Sequence, residues 1–183
     1  MKEQMKLVLV LSMICLVSGI LMALVYNVTA EPIARAREAA RMDALRQVLP
    51  PTAAAPELEE STITYEGQEI PVVYARYDGQ LLATVLQVKT AEGYGGDIEL
   101  MAGILPDGSI QGIAILDHKE TPGLGAHISG RAFLDLFKGR KLDGTIWKVK
   151  KEGGDIDEIT AATVSSRAVV DAVRIALAAN SAE

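Results

Sequence analysis

Asp157-Glu158-Ile159-Thr160-Ala161-Ala162-Thr163-Val164-Ser165-Ser166 decides how the chain is read. Four hydroxyls, on Thr160, Thr163, Ser165 and Ser166, fall within seven residues. An apolar stripe follows directly. Val169, Ala172, Val173, Ala176 and Leu177 recur at helical spacing and predict an amphipathic helix over Ser165–Ala179. The start of such a helix exposes backbone N–H groups and the positive end of its dipole. Two uses follow from that chemistry. The hydroxyls cap the first turn, or hydroxyls and amides together receive an anion, most naturally a phosphate.

Ahead of this stretch the apolar period is two. Thr62–Tyr65, Val72–Tyr77, Leu81–Lys89, Ile98–Leu105, Ile110–Leu116 and Gly144–Lys150 read as strands. Asp78-Gly79 and Pro106-Asp107-Gly108-Ser109 are turn signals between them. The pattern predicts an α+β fold whose sheet is largely antiparallel, with about five or six strands, flanked by helices. Ile128–Phe137 reads as a short amphipathic helix, with Phe133, Leu134 and Phe137 on its apolar side. Two irregular stretches interrupt the sheet, Gly93-Tyr94-Gly95-Gly96 and Glu120-Thr121-Pro122-Gly123-Leu124-Gly125.

At the other end, Leu7–Tyr26 is almost wholly apolar. Twenty helical residues rise about 30 Å, the thickness of a hydrocarbon core. A cleaved secretory signal is the competing reading, with Val28-Thr29-Ala30 as a weak cleavage site, but its apolar core is usually shorter. Lys2 and Lys6 favour an inside N-terminus, against Arg35, Arg37 and Arg41 on the far flank. Pro32–Leu49 reads as a separate helix, with Pro32 in its first turn and Pro50-Pro51 as its stop. Thr52–Glu60 reads as a surface connection. The layout is a transmembrane anchor at 1–30, a helical connector and linker at 31–60, and a domain at 61–183.

Composition removes several function classes. A net charge of −6 argues against nucleic acid, which needs a basic footprint. Cys15 is the only cysteine, so this chain forms no internal disulfide and no thiolate metal site. His118 and His127 match no helical ligand pair, and no metal is expected. Gly93–Gly96 is not a dinucleotide fingerprint and no P-loop lysine follows it. A hydrolase would use Thr163 or Ser165 as nucleophile and His118 as base, oriented by Asp117 or Glu120, but the chain has no G-x-S-x-G elbow.

Asp157, Thr160-Ala161-Ala162-Thr163 and Ser165-Ser166 together resemble the flavinylation motif of FMN-binding domains. That motif runs roughly Asp, two variable residues, Ser or Thr, Gly, Ala, Thr. Ala161 stands where the family more often has glycine. Gly93–Gly96 and Glu120–Gly125 resemble the family's two other signature loops, in the same order. Trp147–Gly154 and Arg167–Val170 fit the G-type subunits of Rnf electron-transport complexes better than the related C-type subunits of the sodium-pumping NADH:quinone reductase.

The resemblance implies that Thr163 carries FMN through a phosphoester, made from FAD by a dedicated flavin transferase. It places Thr160, Ala162, Ser165 and Ser166 around the phosphate, with Ser165 and Ser166 donating to its oxygens. Tyr94, Gly95 and Gly96 would bracket the isoalloxazine from one side and Glu120, Thr121, Gly123, Leu124 and Gly125 from the other. The implied chemistry is electron transfer within a complex that links ferredoxin and NAD to ion movement, and it needs no catalytic acid or base in this chain. The implied partners are the other membrane subunits, the transferase and, through residues 7–26, membrane lipid. The implied location is a bacterial inner membrane, single-pass, with the domain on the extracytoplasmic side. A cofactor-free, membrane-anchored assembly module is the competing class, and it leaves the three special loops without a purpose.

Overall fold

The computed structural model describes residues 2–51 and 56–182, so the Thr52–Ala55 part of the expected connection lies outside the described residues. The chain divides into two compact units, Met1–Arg41 and Met42–Glu183.

Helix α1, Lys2–Val48, begins in the first unit and its last residues belong to the second. Its apolar part is long and apolar enough to cross a membrane. The separate helix expected from Pro32 is not seen, because α1 runs straight through that proline. Proline deletes one ladder hydrogen bond, but its neighbours Ala34, Arg35, Ala36, Arg37 and Glu38 are strong helix formers. A Glu31–Arg35 ion pair also spans the position on the helix surface.

The second unit is built on five antiparallel strands in sequential order: β1 Glu57–Tyr65, β2 Gln68–Tyr77, β3 Gln80–Thr90, β4 Ile98–Ile104 and β5 Ile110–His118. β1 starts at Glu57, within the stretch read as linker. Two-residue turns close the first two hairpins. Glu66-Gly67 and Asp78-Gly79 both have positive φ at each residue, the twist that matches right-handed strands.

Successive residues point to opposite faces of the sheet, and both faces are covered. Val72, Leu86, Leu100 and Ala102 pack in the larger core with helix α3, Thr163–Ser181, which lies on β3 and β4. Val73, Val85, Met101 and Ala114 pack on the other face with Ala44, Leu45 and Val48 from the end of α1. Burying Leu45 and Val48 contributes about 1.5–3 kcal/mol each. Glycine permits that docking, since a Cβ on Gly103 would collide with the Val48 carbonyl.

Two expected elements take other forms. Ile128–Phe137 is three short pieces rather than one helix: a 3₁₀ turn at Gly125–Ser129, helix α2 at Arg131–Leu134 and a 3₁₀ turn at Asp135–Phe137. Gly130, extended at φ −75° and ψ 137°, breaks the run. Gly144–Lys150 is not a sixth strand. Its backbone bonds to the returning loop instead: Ile146 N–H to the Asp155 carboxylate at 2.6 Å, and Lys150 N–H to the Ile156 carbonyl at 2.8 Å. Trp147 and Val149 still enter the core, where Trp147 stacks on Phe137 at 6.4 Å between ring centres.

Gly103→Ala forces the end of α1 off the sheet and should lower stability by about 1–3 kcal/mol. Gly112→Ala is the control, because its added Cβ would lie 3.5 Å from the nearest atom, an ordinary contact. Thermal unfolding of the full chain in detergent checks both, and equal melting points would contradict the close packing.

Candidate functional site

Three loops that are far apart in sequence meet at one end of the sheet. The first, 93–96, joins β3 to β4, the second follows β5, and the third leads into α3. They enclose a cavity of about 360 Å³. Tyr94 lines it from the first loop, Glu120, Thr121, Leu124 and Gly125 from the second, and residues 161–165 from the third. The volume is in the range of small-ligand sites.

Each loop has a local reason for its shape. Leu124 N–H donates to the Thr121 carbonyl at 3.2 Å, with Pro122 second and Gly123 third at φ 78°. That is the residue pattern of a type II turn. The third loop repeats the device: Ala162 N–H donates to the Ile159 carbonyl at 2.9 Å, and Ala161 holds the third place at φ 64°. An alanine is therefore in the left-handed region where the family pattern has glycine, at a local cost of about 1–2 kcal/mol. Below the first loop, Asp97 bonds Lys89 at 3.1 Å and lies 3.6 Å from Lys119. Lys89 first, and Lys119 after it, hold its carboxyl below the ordinary carboxylate range. This clasp is complete above about pH 4 and weakens only as pH falls further, because the folded form binds its proton less readily than the unfolded chain.

α3 starts at Thr163, two residues before the expected Ser165. Its N-cap is Ala162, whose side chain caps nothing. The first N–H with a helical acceptor is that of Ser166, on the Ala162 carbonyl at 3.0 Å. The amides of Thr163, Val164 and Ser165 precede it, and the helix ladder cannot serve them. The Thr163 hydroxyl has no hydrogen-bond partner among the described residues, and its side chain is half-buried at the cavity wall.

Both serines, expected to donate to a phosphate, make hydrogen bonds within the protein. Ser165 Oγ donates to Glu120 Oε2 at 2.7 Å, and both residues are buried. Ser166 Oγ donates to the Ala162 carbonyl at 2.9 Å and accepts from Ile159 N–H at 3.0 Å. A hydroxyl has one proton, and in this arrangement each serine's proton goes to a protein oxygen. The expected hydrolase arrangement is not formed either. His118 Nδ1 accepts from the Glu120 backbone N–H at 3.2 Å and bonds neither hydroxyl.

Of the residues singled out in the sequence, Tyr94, Glu120, Thr121, Leu124, Gly125, Ala162, Thr163 and Ser165 line the cavity. Gly95, Gly96, Gly123, Thr160 and Ser166 lie in the same loops but not on its wall. Val164 was missed. Its signal was an apolar side chain beside Thr163, off the buried stripe of α3 and 39% exposed.

The residues fit a flavin mononucleotide. The helix start offers three amides and a dipole to a phosphate. Exposed Tyr94, Leu124 and Val164 offer apolar surface to a flat ring.

A family model described as FMN-binding domain matches residues 93–178, which carry all three loops. The fold is that of an FMN-binding domain. A second model, described as RnfG N-terminal region, matches residues 1–48. The G subunit of the ion-translocating oxidoreductase complex of Pseudomonas aeruginosa is 36% identical over 181 residues, covering 92% of this chain and 85% of its own. The protein of the same name from Vibrio cholerae is 35% identical over 180 residues, covering 92% and 86%. The chain belongs to this family of G subunits. Among solved structures, NqrC of Shewanella oneidensis shares the fold, with a TM-score of 0.51 and 24% identity over 64% of this chain and 63% of that one.

Ala161→Gly should relieve the left-handed strain and stabilise the protein by up to about 1 kcal/mol, whereas Ala161→Val should destabilise it by more than that. Thermal melting of both variants checks the sign, and a stabilising valine would contradict the assignment.

Proposed function

We propose that this chain is the FMN-carrying subunit of an Rnf-type complex, with the cofactor held by a phosphoester on Thr163. The observation that carries the reading is the position of Thr163. Its hydroxyl is the first of α3, on the wall of the cavity, beside three amides that the helix ladder does not use. An esterified phosphate keeps a negative charge, which the helix start stabilises by about 0.3–1 kcal/mol when exposed. That is too little to retain a cofactor in an open cleft, and a covalent bond removes the need.

Attachment balances as a phosphoryl-type transfer from FAD in a flavin transferase. The Thr163 Oγ–P bond forms, the pyrophosphate P–O bond of FAD breaks, AMP leaves, and the hydroxyl proton passes to a base of the transferase. Bound FMN supplies one- and two-electron redox chemistry. The chain's own residues hold and orient it. The amides of Thr163, Val164 and Ser165 face the phosphate charge, and Leu124, Val164 and Tyr94 give the ring an apolar lining. No residue here needs to move a proton.

In this reading the site works within a membrane complex. Residues 7–26 of α1 lie in the lipid of an inner membrane as a single pass, and the FMN-binding domain lies on the extracytoplasmic side. Electrons pass between this flavin and neighbouring membrane subunits of a ferredoxin:NAD oxidoreductase coupled to ion translocation. The family match over residues 1–48 and the names of the relatives support this assignment.

When the chain is coexpressed with a flavin transferase and run denatured, its band should fluoresce under flavin excitation. Thr163→Ala should abolish that signal with folding intact, and Thr163→Ser should retain it. A fluorescent Thr163→Ala band would move the attachment to another hydroxyl, and a dark wild-type band would remove covalent flavin altogether.

A further inference from the structure

Glu120 is 5% exposed, and its carboxylate joins all three loops. Ser165 Oγ of α3 donates to one oxygen at 2.7 Å, and Gly95 N–H of the first loop donates to the other at 3.2 Å. Glycines clear the space around it. A Cβ on Gly93 would lie 2.6 Å from Oε1, and a Cβ on Gly125 would lie 2.5 Å from Oε2 and 3.1 Å from Ser165 Oγ. Gly95 passes the Lys119 carbonyl too closely for any side chain. The glycines of these loops therefore make room for a buried carboxylate and its backbone, not only for a ligand.

The first turn of α3 has a matching need. Its N-cap is an alanine with no side-chain bond to give, and an uncapped first turn frays. Ser165 is the third residue of that turn. A charge-assisted bond from Ser165 to a carboxylate fixed in another loop holds the turn from outside. The carboxylate's negative charge also suits the positive end of the helix. Thr163 lies two residues earlier in the same turn, so whatever fixes Ser165 also steadies the backbone that carries the Thr163 hydroxyl.

We propose that Glu120 is the positioning residue of the attachment site: through Ser165 it ties the uncapped first turn of α3 to the loop after β5 and presents Thr163 for modification. The proposal rests on the attachment of FMN at Thr163. Glu120 is bonded to Ser165 and Gly95, not to the Thr163 hydroxyl, and its effect is on the geometry of the acceptor.

The test uses the full chain in detergent, isolated without flavin, with a purified flavin transferase and FAD. Flavin incorporation is followed by in-gel fluorescence, and amide hydrogen exchange is measured on the same flavin-free samples. Glu120→Ala and Ser165→Ala should each slow incorporation by on the order of tenfold, as loss of a hydrogen bond to a charged group does. The loss should fall on kcat, with the KM for the acceptor chain unchanged. The Ser166 and Arg167 amides should exchange faster, while those of Val169–Leu177 hold their protection. Glu120→Gln should recover most of the rate, since its amide can accept from Gly95 N–H and donate to Ser165 Oγ.

Incorporation at the wild-type rate in Ser165→Ala, or unchanged exchange at Ser166, overturns the proposal. The double variant Glu120→Gln, Ser165→Ala breaks the same bond without leaving a buried charge, so it decides the matter if a single variant does not fold. A wild-type chain that takes up no flavin removes the attachment reading instead. The exchange measurement still decides whether Glu120 holds the first turn of α3.

Discussion

The hydrogen bond from Ser165 to Glu120 joins segments 45 residues apart and is shielded from water at both ends. Removing a carboxylate from water costs several kcal/mol unless donors replace the lost hydration. Two donors from two other loops do so here, one a serine hydroxyl and one a glycine amide. The cleft wall inherits its shape from that requirement. Gly93, Gly95 and Gly125 lack side chains because the carboxylate and the Lys119 backbone occupy the space. Thr163 then follows as the first helical residue beyond a turn that Ala161 makes at positive φ.

The cleft depends in turn on a sheet covered on both faces. α3 is anchored by its buried stripe, Val169, Val173, Ala176 and Leu177 among it, so its N-terminus has a defined position at the loop end of the sheet. The opposite face is closed by Ala44, Leu45 and Val48, the last residues of α1. A five-stranded meander with one bare face would expose a broad apolar surface to water. The helix that carries the apolar N-terminal segment thus supplies part of the domain's own core.

Much of this was legible because it rests on local chemistry. The 3.6-residue stripe after Ser166, the Asp78-Gly79 hairpin and the β-branched and apolar runs of β2 to β5 each carry their own signal. So do the three loops, whose glycine and hydroxyl content has no place in a strand or helix interior. What was not legible depended on which partners the backbone and side chains find once the chain is folded. Pro32 marked a helix start, yet its neighbours carry α1 through it. Gly144–Lys150 alternates like a strand, but its backbone is satisfied by the Asp155 loop before any sheet edge reaches it. Ser165 reads as a free donor because its partner Glu120 lies 45 residues away, and Ser166 because a helix-start serine does not announce its bonds to Ala162 and Ile159. Ala161 is the instructive case. The missing glycine signalled a departure, and the backbone keeps the left-handed turn regardless.

Thr163 as the flavin acceptor is the claim on which the account turns. Intact-mass analysis with peptide mapping of the full chain, coexpressed with a flavin transferase, tests it most directly. The account predicts a mass increment of one esterified FMN, confined to the peptide that contains Thr163 and fragmenting at that residue. An unmodified Thr163 beside a modified Thr160, or a chain whose flavin is lost on denaturation, would contradict it.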